Sequence, residues 1–189
     1  MRKNRFAIGF VLGMGLAVAA GSVEAKEKQF HASFAGTATN KDGFSYTGGP
    51  FTGYDAVAGK STLGPYTAQL VVDVSPDDHT CPLPGGGSGV ELVSVGEDVV
   101  LSFPATGEQL FLRLSPSFTS HECLDPATRV ASGRVTFDVS GGTGRFAGAT
   151  GTIVKIWQGV KLAPPASPPG IGYFSNFTGT FDGTIELAQ

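Results

Sequence analysis

Charge is scarce in this 189-residue chain. Asp, Glu, Lys and Arg make up 15% of it, and the formal net charge is −3. No basic patch stands out, which argues against nucleic acid and anionic membrane surfaces as partners. No apolar run is long enough to span a bilayer: the longest, Phe6 to Ala20, falls short of the ~20 residues required and is dotted with glycine. Helical periodicity is also missing outside that segment. No G-x-S-x-G nucleophile elbow occurs, and no cofactor-binding motif is complete, so no cofactor is assigned. Cysteine is limited to two residues and tryptophan to one.

What is present begins with a leader. M-R-K-N-R carries three positive charges, a short apolar stretch follows, and Val23-Glu24-Ala25 fits a small-residue cleavage site. This reads as a secretory signal peptide over residues 1–25, with a secreted or periplasmic product. The remaining residues, 26–189, amount to one domain with ten basic and fifteen acidic side chains, a net charge of −5.

Glycine (28) and phenylalanine (14) are abundant, and Thr, Val, Phe and Ser fill the segments between turns. These are strand and turn formers. Phe30, Ala32 and Phe34 alternate with polar neighbours, as do Leu110, Leu112 and Leu114, and Val135, Phe137 and Val139. Further strands are expected over 67–75, 90–95, 98–103, 150–160 and 173–187. Pro76-Asp77-Asp78 is expected to end the first of these, and Gly96-Glu97 to form a two-residue hairpin. Residues 41–66 read as short strands or an ordered loop, 81–89 as a loop and 116–132 as irregular. Pro164, Pro165, Pro168 and Pro169 exclude a sheet interior. Seven to nine strands predict an all-β sandwich or up-and-down barrel, and the long final strands favour an antiparallel up-and-down barrel of about eight strands, because closure removes the edges they would otherwise expose.

S-G-G-T-G-R-F-A-G-A-T-G, Ser140 to Gly151, contains G-x-G-x-x-A. A dinucleotide site needs that motif to open a helix, with an acid about 20 residues on. Here a second strand follows, and no such acid is present. The expectation is a structural turn in which Gly141, Gly142, Gly144, Gly148 and Gly151 supply positive φ, a bulge or a corner bend. Phe146 would plug the barrel, with Arg145 solvated.

V-S-G-G-T-G-R-F-A-G-A-T-G-T-I-V-K-I resembles the G-G-T-G-x-F hairpin of the allene oxide cyclase and dirigent protein superfamily. The resemblance implies an eight-stranded antiparallel barrel with an apolar ligand cavity, and a homo-oligomer as a common assembly. Dirigent proteins commonly carry Arg just after the aromatic and before the next Gly. Here those positions are Ala147 and Thr150, so no catalytic residue is carried over.

The two cysteines sit in repeated H-x-C pairs, His79-Thr80-Cys81 and His121-Glu122-Cys123. In an exported chain the expectation is a Cys81–Cys123 disulfide. The alternative is a metal site of His79, Cys81, His121 and Cys123. Trp157, on an expected strand, reads first as packing and second as a ligand platform. Arg113 is expected to face outward, and Asp77-Asp78 to be solvated.

Three functional readings follow: an exported barrel that binds a small apolar ligand or a protein partner without catalysis, an isomerase- or cyclase-like barrel enzyme, and a surface-assembly protein. A cavity walled only by Phe, Val and Leu would favour binding. Ionisable groups converging inside it would favour an enzyme.

Overall fold

In a computed structural model, residues 26–41, 50–118, 120–162 and 174–188 are described. The strands are β1 Lys26–Lys41, β2 Phe51–Ser61, β3 Gly64–Pro82, β4 Ser88–Phe103, β5 Glu108–Leu114, β6 His121–Leu124, β7 Val130–Gly142, β8 Thr150–Leu162 and β9 Phe174–Leu187. Every pairing among them is antiparallel. The sheet runs β3-β2-β1-β9-β8-β7-β5-β4, and a β3–β4 pairing closes it. Both β5 and β6 lie between β4 and β7. They form two halves of one interrupted stave, so nine strands make an eight-stave barrel. The expected leader lies outside the described residues, as does the Pro164–Pro169 segment.

Alternation builds the wall. Phe30, Ala32, Phe34 and Ala38 of β1 point inward, as do Val57 of β2 and Phe181 and Ile185 of β9. Residues of the opposite parity, such as Ala35, Thr37 and Thr178, face out. The interior holds two apolar groups. The larger includes Phe34, Val57, Val99, Leu101, Phe103, Val135, Phe137, Ile153 and Phe181. The smaller holds Phe51, Val72, Val74, Leu92, Leu124 and Ala131.

Several strand boundaries differ from expectation. Proline 76 does not end β3; the ladder with β4 skips from Pro76 to Thr80, then resumes. A long antiparallel partner tolerates this local loss of a ladder donor at an irregularity. Gly96-Glu97 is not a hairpin. Residues 88–103 form one strand, and partners step from Asp73↔Gly96 to Val74↔Ser94. Val95 is thus an extra, unpaired residue, 63% exposed. This bulge mimics a turn in sequence, because one glycine and one polar residue serve either purpose. Within 116–132, the ladder continues as β6 and the start of β7.

The glycine stretch reverses β7 into antiparallel β8, with a single 3-10 turn at Gly144–Phe146. Gly141, Gly144, Gly148 and Gly151 have positive φ. Gly142 lies so close to the Gln109 carbonyl that a Cβ there would sit 2.1 Å from it. Phe146 is buried and stacks on Phe103 at 5.2 Å. Arg145 is not simply solvated. Its guanidinium lies over both rings, pairs with Glu108 at 3.0 Å and donates to the Leu63 carbonyl. The Arg145 amide donates to Glu108 at 2.8 Å, so a carboxylate already fills the place where a phosphate would sit.

A charged chamber between two apolar plugs

Polar residues mark the boundary between the two apolar groups on three staves. On β2, Asp55 separates Phe51 from Val57. On β4, Ser94 and Glu97 separate Leu92 from Val99, and on β8 Lys155 follows Ile153. Glu122 enters from β6, one alternation before Leu124. Lys155, Glu97 and Glu122 are 4%, 3% and 7% exposed, and Asp55 is half-buried.

The β4 bulge is what brings two of these groups in. Ser94 and Glu97 are three residues apart, a spacing that regular alternation would split between the faces. The extra residue at Val95 restores parity, so both point inward. The interrupted stave adds a second device. Between β5 and β6 the wall offers serines instead of a regular ladder: the Ser94 amide donates to Ser120 Oγ at 2.5 Å, and the Ser120 hydroxyl donates to the Ser94 carbonyl at 3.3 Å. Ser94 Oγ then donates to Glu122 Oε1 at 2.7 Å.

Lys155 Nζ crosses the barrel to Glu97 Oε1 and lies 5.6 Å from the centre of the Phe137 ring. Glu97 Oε2 is buried and has no hydrogen-bond partner among the described residues. Burial drives the Glu97 carboxyl up to about 7 against the pull of Lys155, with Glu122 and Asp55 adding to the rise. Burial also drives Asp55 up to about 6, opposed by Lys155 and reinforced by Glu122. Burial alone would lower the Lys155 ammonium, but Glu97, Asp55 and Glu122 outweigh it and hold it above the ordinary value. Lys155 therefore stays charged and is not a free-amine nucleophile.

Asp55, Glu122 and Lys155 line a cavity of about 50 Å³, walled also by Phe51, Trp157 and Phe177. That volume holds a few waters or a small head group. It is well below the ~300 Å³ at which drug-sized pockets begin. Trp157 packs against both apolar groups, meets Phe177 edge-on at 6.2 Å, and sets its indole nitrogen against Gly133, where a Cβ would be only 2.6 Å away. Trp157 thus serves as packing and as cavity wall at once.

The other sequence candidates lie elsewhere. Cys81 and Cys123 form a disulfide with Cα atoms 5.8 Å apart. Both thiolates that the alternative metal site requires are consumed by it. His121 instead pairs with Glu91 at 2.8 Å on the outer surface. Arg113 faces outward and pairs with Asp98 at 3.1 Å. The side chains of Asp77 and Asp78 lie outside the described residues. Among the described residues no helix is long and apolar enough to cross a membrane. The disulfide is consistent with an oxidising compartment.

All four charged chamber residues escape motif reading. Alternation alone carries a signal for Lys155, which shares parity with Ile153 and Trp157. Comparison with known protein families, curated proteins and solved structures finds no match, so the functional reading rests on the geometry.

Proposed function

We propose that this chain is an exported β-barrel that binds a small molecule in the chamber walled by Asp55, Glu122, Lys155 and Trp157. Two carboxylates, Asp55 and Glu122, and the Lys155 ammonium converge on the aromatic-walled cavity, which by itself would favour an enzyme; the small volume, admitting a head group only, favours binding and carries this reading. Such a layer is a poor way to stabilise a core, since well-packed apolar residues do as well or better. Buried titratable groups with displaced pKa values beside a cavity mark functional sites. The closed barrel and the G-G-T-G-R-F reversal support placing the chain near the allene oxide cyclase and dirigent superfamily. The disulfide supports a secreted or periplasmic location. The wall is not purely apolar, so the expected ligand has a polar end.

A second reading, acid–base isomerisation, is favoured by Asp55, whose carboxyl at about 6 is close to working pH on the cavity wall. It ranks second because the cavity admits a head group only, and Glu97, the carboxyl nearest 7, is not on its wall.

Native mass spectrometry of the protein recovered from its source cells tests the first reading. The expected result is a chain beginning at Lys26, lighter by the two disulfide hydrogens, carrying a small molecule that denaturation releases. A ligand-free mass, together with a Trp157 emission that no small compound alters, would remove the proposal.

A further inference from the structure

We infer that the chamber selects the ammonium head of a small amine. This rests on the ligand-binding reading and specifies its chemistry. The charge balance inside the barrel is uneven. Asp55 on β2, Glu97 on β4 and Glu122 on β6 face one cation, Lys155 on β8, and the described part of β9 contributes Ser175 and Phe177 to the cavity wall and no charged group. Lys155 is committed to Glu97. Asp55 and Glu122 are then the carboxylates that remain on the cavity wall.

A second observation points the same way. The buried Oε2 of Glu97 lacks a partner among the described residues and is an open acceptor in the layer, whereas the unpaired donor on the cavity wall, Trp157 Nε1, is set against Gly133. A primary ammonium brings three N–H donors and one positive charge. Phe51, Trp157 and Phe177 supply aromatic surface, which attracts a desolvated cation and covers its carbon chain. The cavity of about 50 Å³ suits a head group of a few atoms. A carboxylate ligand would meet two like charges and a lysine already paired. An entering ammonium would replace protons that the crowded carboxyls otherwise retain, so binding should weaken as pH falls through the Asp55 value of about 6.

The chain has one tryptophan, and it lies on the cavity wall, so its emission reports on this site alone. The test titrates the full disulfide-bonded protein with n-butylammonium, butan-1-ol and butyrate at pH 8, exciting Trp157 selectively. Saturable change with n-butylammonium only is expected, weakened about tenfold at pH 5 and about tenfold or more by Asp55→Asn or Glu122→Gln. Wild-type selectivity stands as a test by itself if a variant fails to fold. Equal or tighter binding of butan-1-ol or butyrate would overturn the amine assignment and leave the binding site in place. No response to any of the three would remove both.

Discussion

Lys155 is the residue on which the interior depends. Alone in the barrel it would be an uncompensated buried cation; with Glu97 it forms a pair whose attraction offsets desolvation. Lys155→Met should therefore lower stability by about 3–5 kcal/mol, because Glu97 is left buried and unpaired. The double variant Lys155→Met with Glu97→Leu should recover most of that loss, measured by denaturant unfolding. Equal losses in the single and double variants would show that the pair does not act as a unit. Asp55 behaves oppositely. Burial and the neighbouring Glu122 disfavour its charge more than Lys155 favours it, so Asp55→Asn should raise stability at pH 8 by on the order of 1 kcal/mol, or ~3 °C in melting temperature. The same change should weaken amine binding, the exchange of stability for function expected of a working site.

At the scale of elements, two irregularities shape the chamber: the Val95 bulge in β4 and the break between β5 and β6. Strand β6 has only four residues, and it carries Glu122 inward while the next residue, Cys123, is tied to β3 through Cys81. The disulfide spans a sequence separation of 42. In the chain-entropy account it contributes about 4 kcal/mol. Cys81→Ser with Cys123→Ser should lower the melting temperature by on the order of 10 °C. Hydrogen exchange should show the amides of β6 opening before those of β1, β8 and β9. Uniform loss of protection across all strands would count against a local tether.

For the whole molecule, the layer imposes a pH dependence. Asp55 and Glu97 have folded pKa values above their unfolded ones, so the folded state binds more protons between roughly pH 4 and 7. The stability these groups give is present below the unfolded pKa and lost as pH rises through about 6 and 7. Glu108 and Asp125, lowered chiefly by hydrogen bonds from the Arg145 amide and the Thr128 hydroxyl, contribute in the other direction and lose their share in acid. Melting temperature should thus be higher near pH 5 than near pH 8, with a decline below pH 4.

The all-antiparallel barrel, its disulfide and the reversal at Gly141–Gly151 were legible in the sequence, because alternation and glycine spacing express them locally. The chamber was not. Gly96-Glu97 has the local chemistry of a hairpin, and only the partner strand shows that it is a bulge. Asp55 lay in a segment with no clear period, and Glu122 read as the middle of an H-x-C pair. These residues meet only when the sheet closes.

The most direct test of the buried layer is a carbon-detected NMR titration of the Asp and Glu carboxyls in the intact protein. The account predicts two carboxyls of the coupled cluster, assigned to Asp55 and Glu97, with midpoints near 6 and 7. Ordinary midpoints near 4 for both would place these groups in water and contradict it.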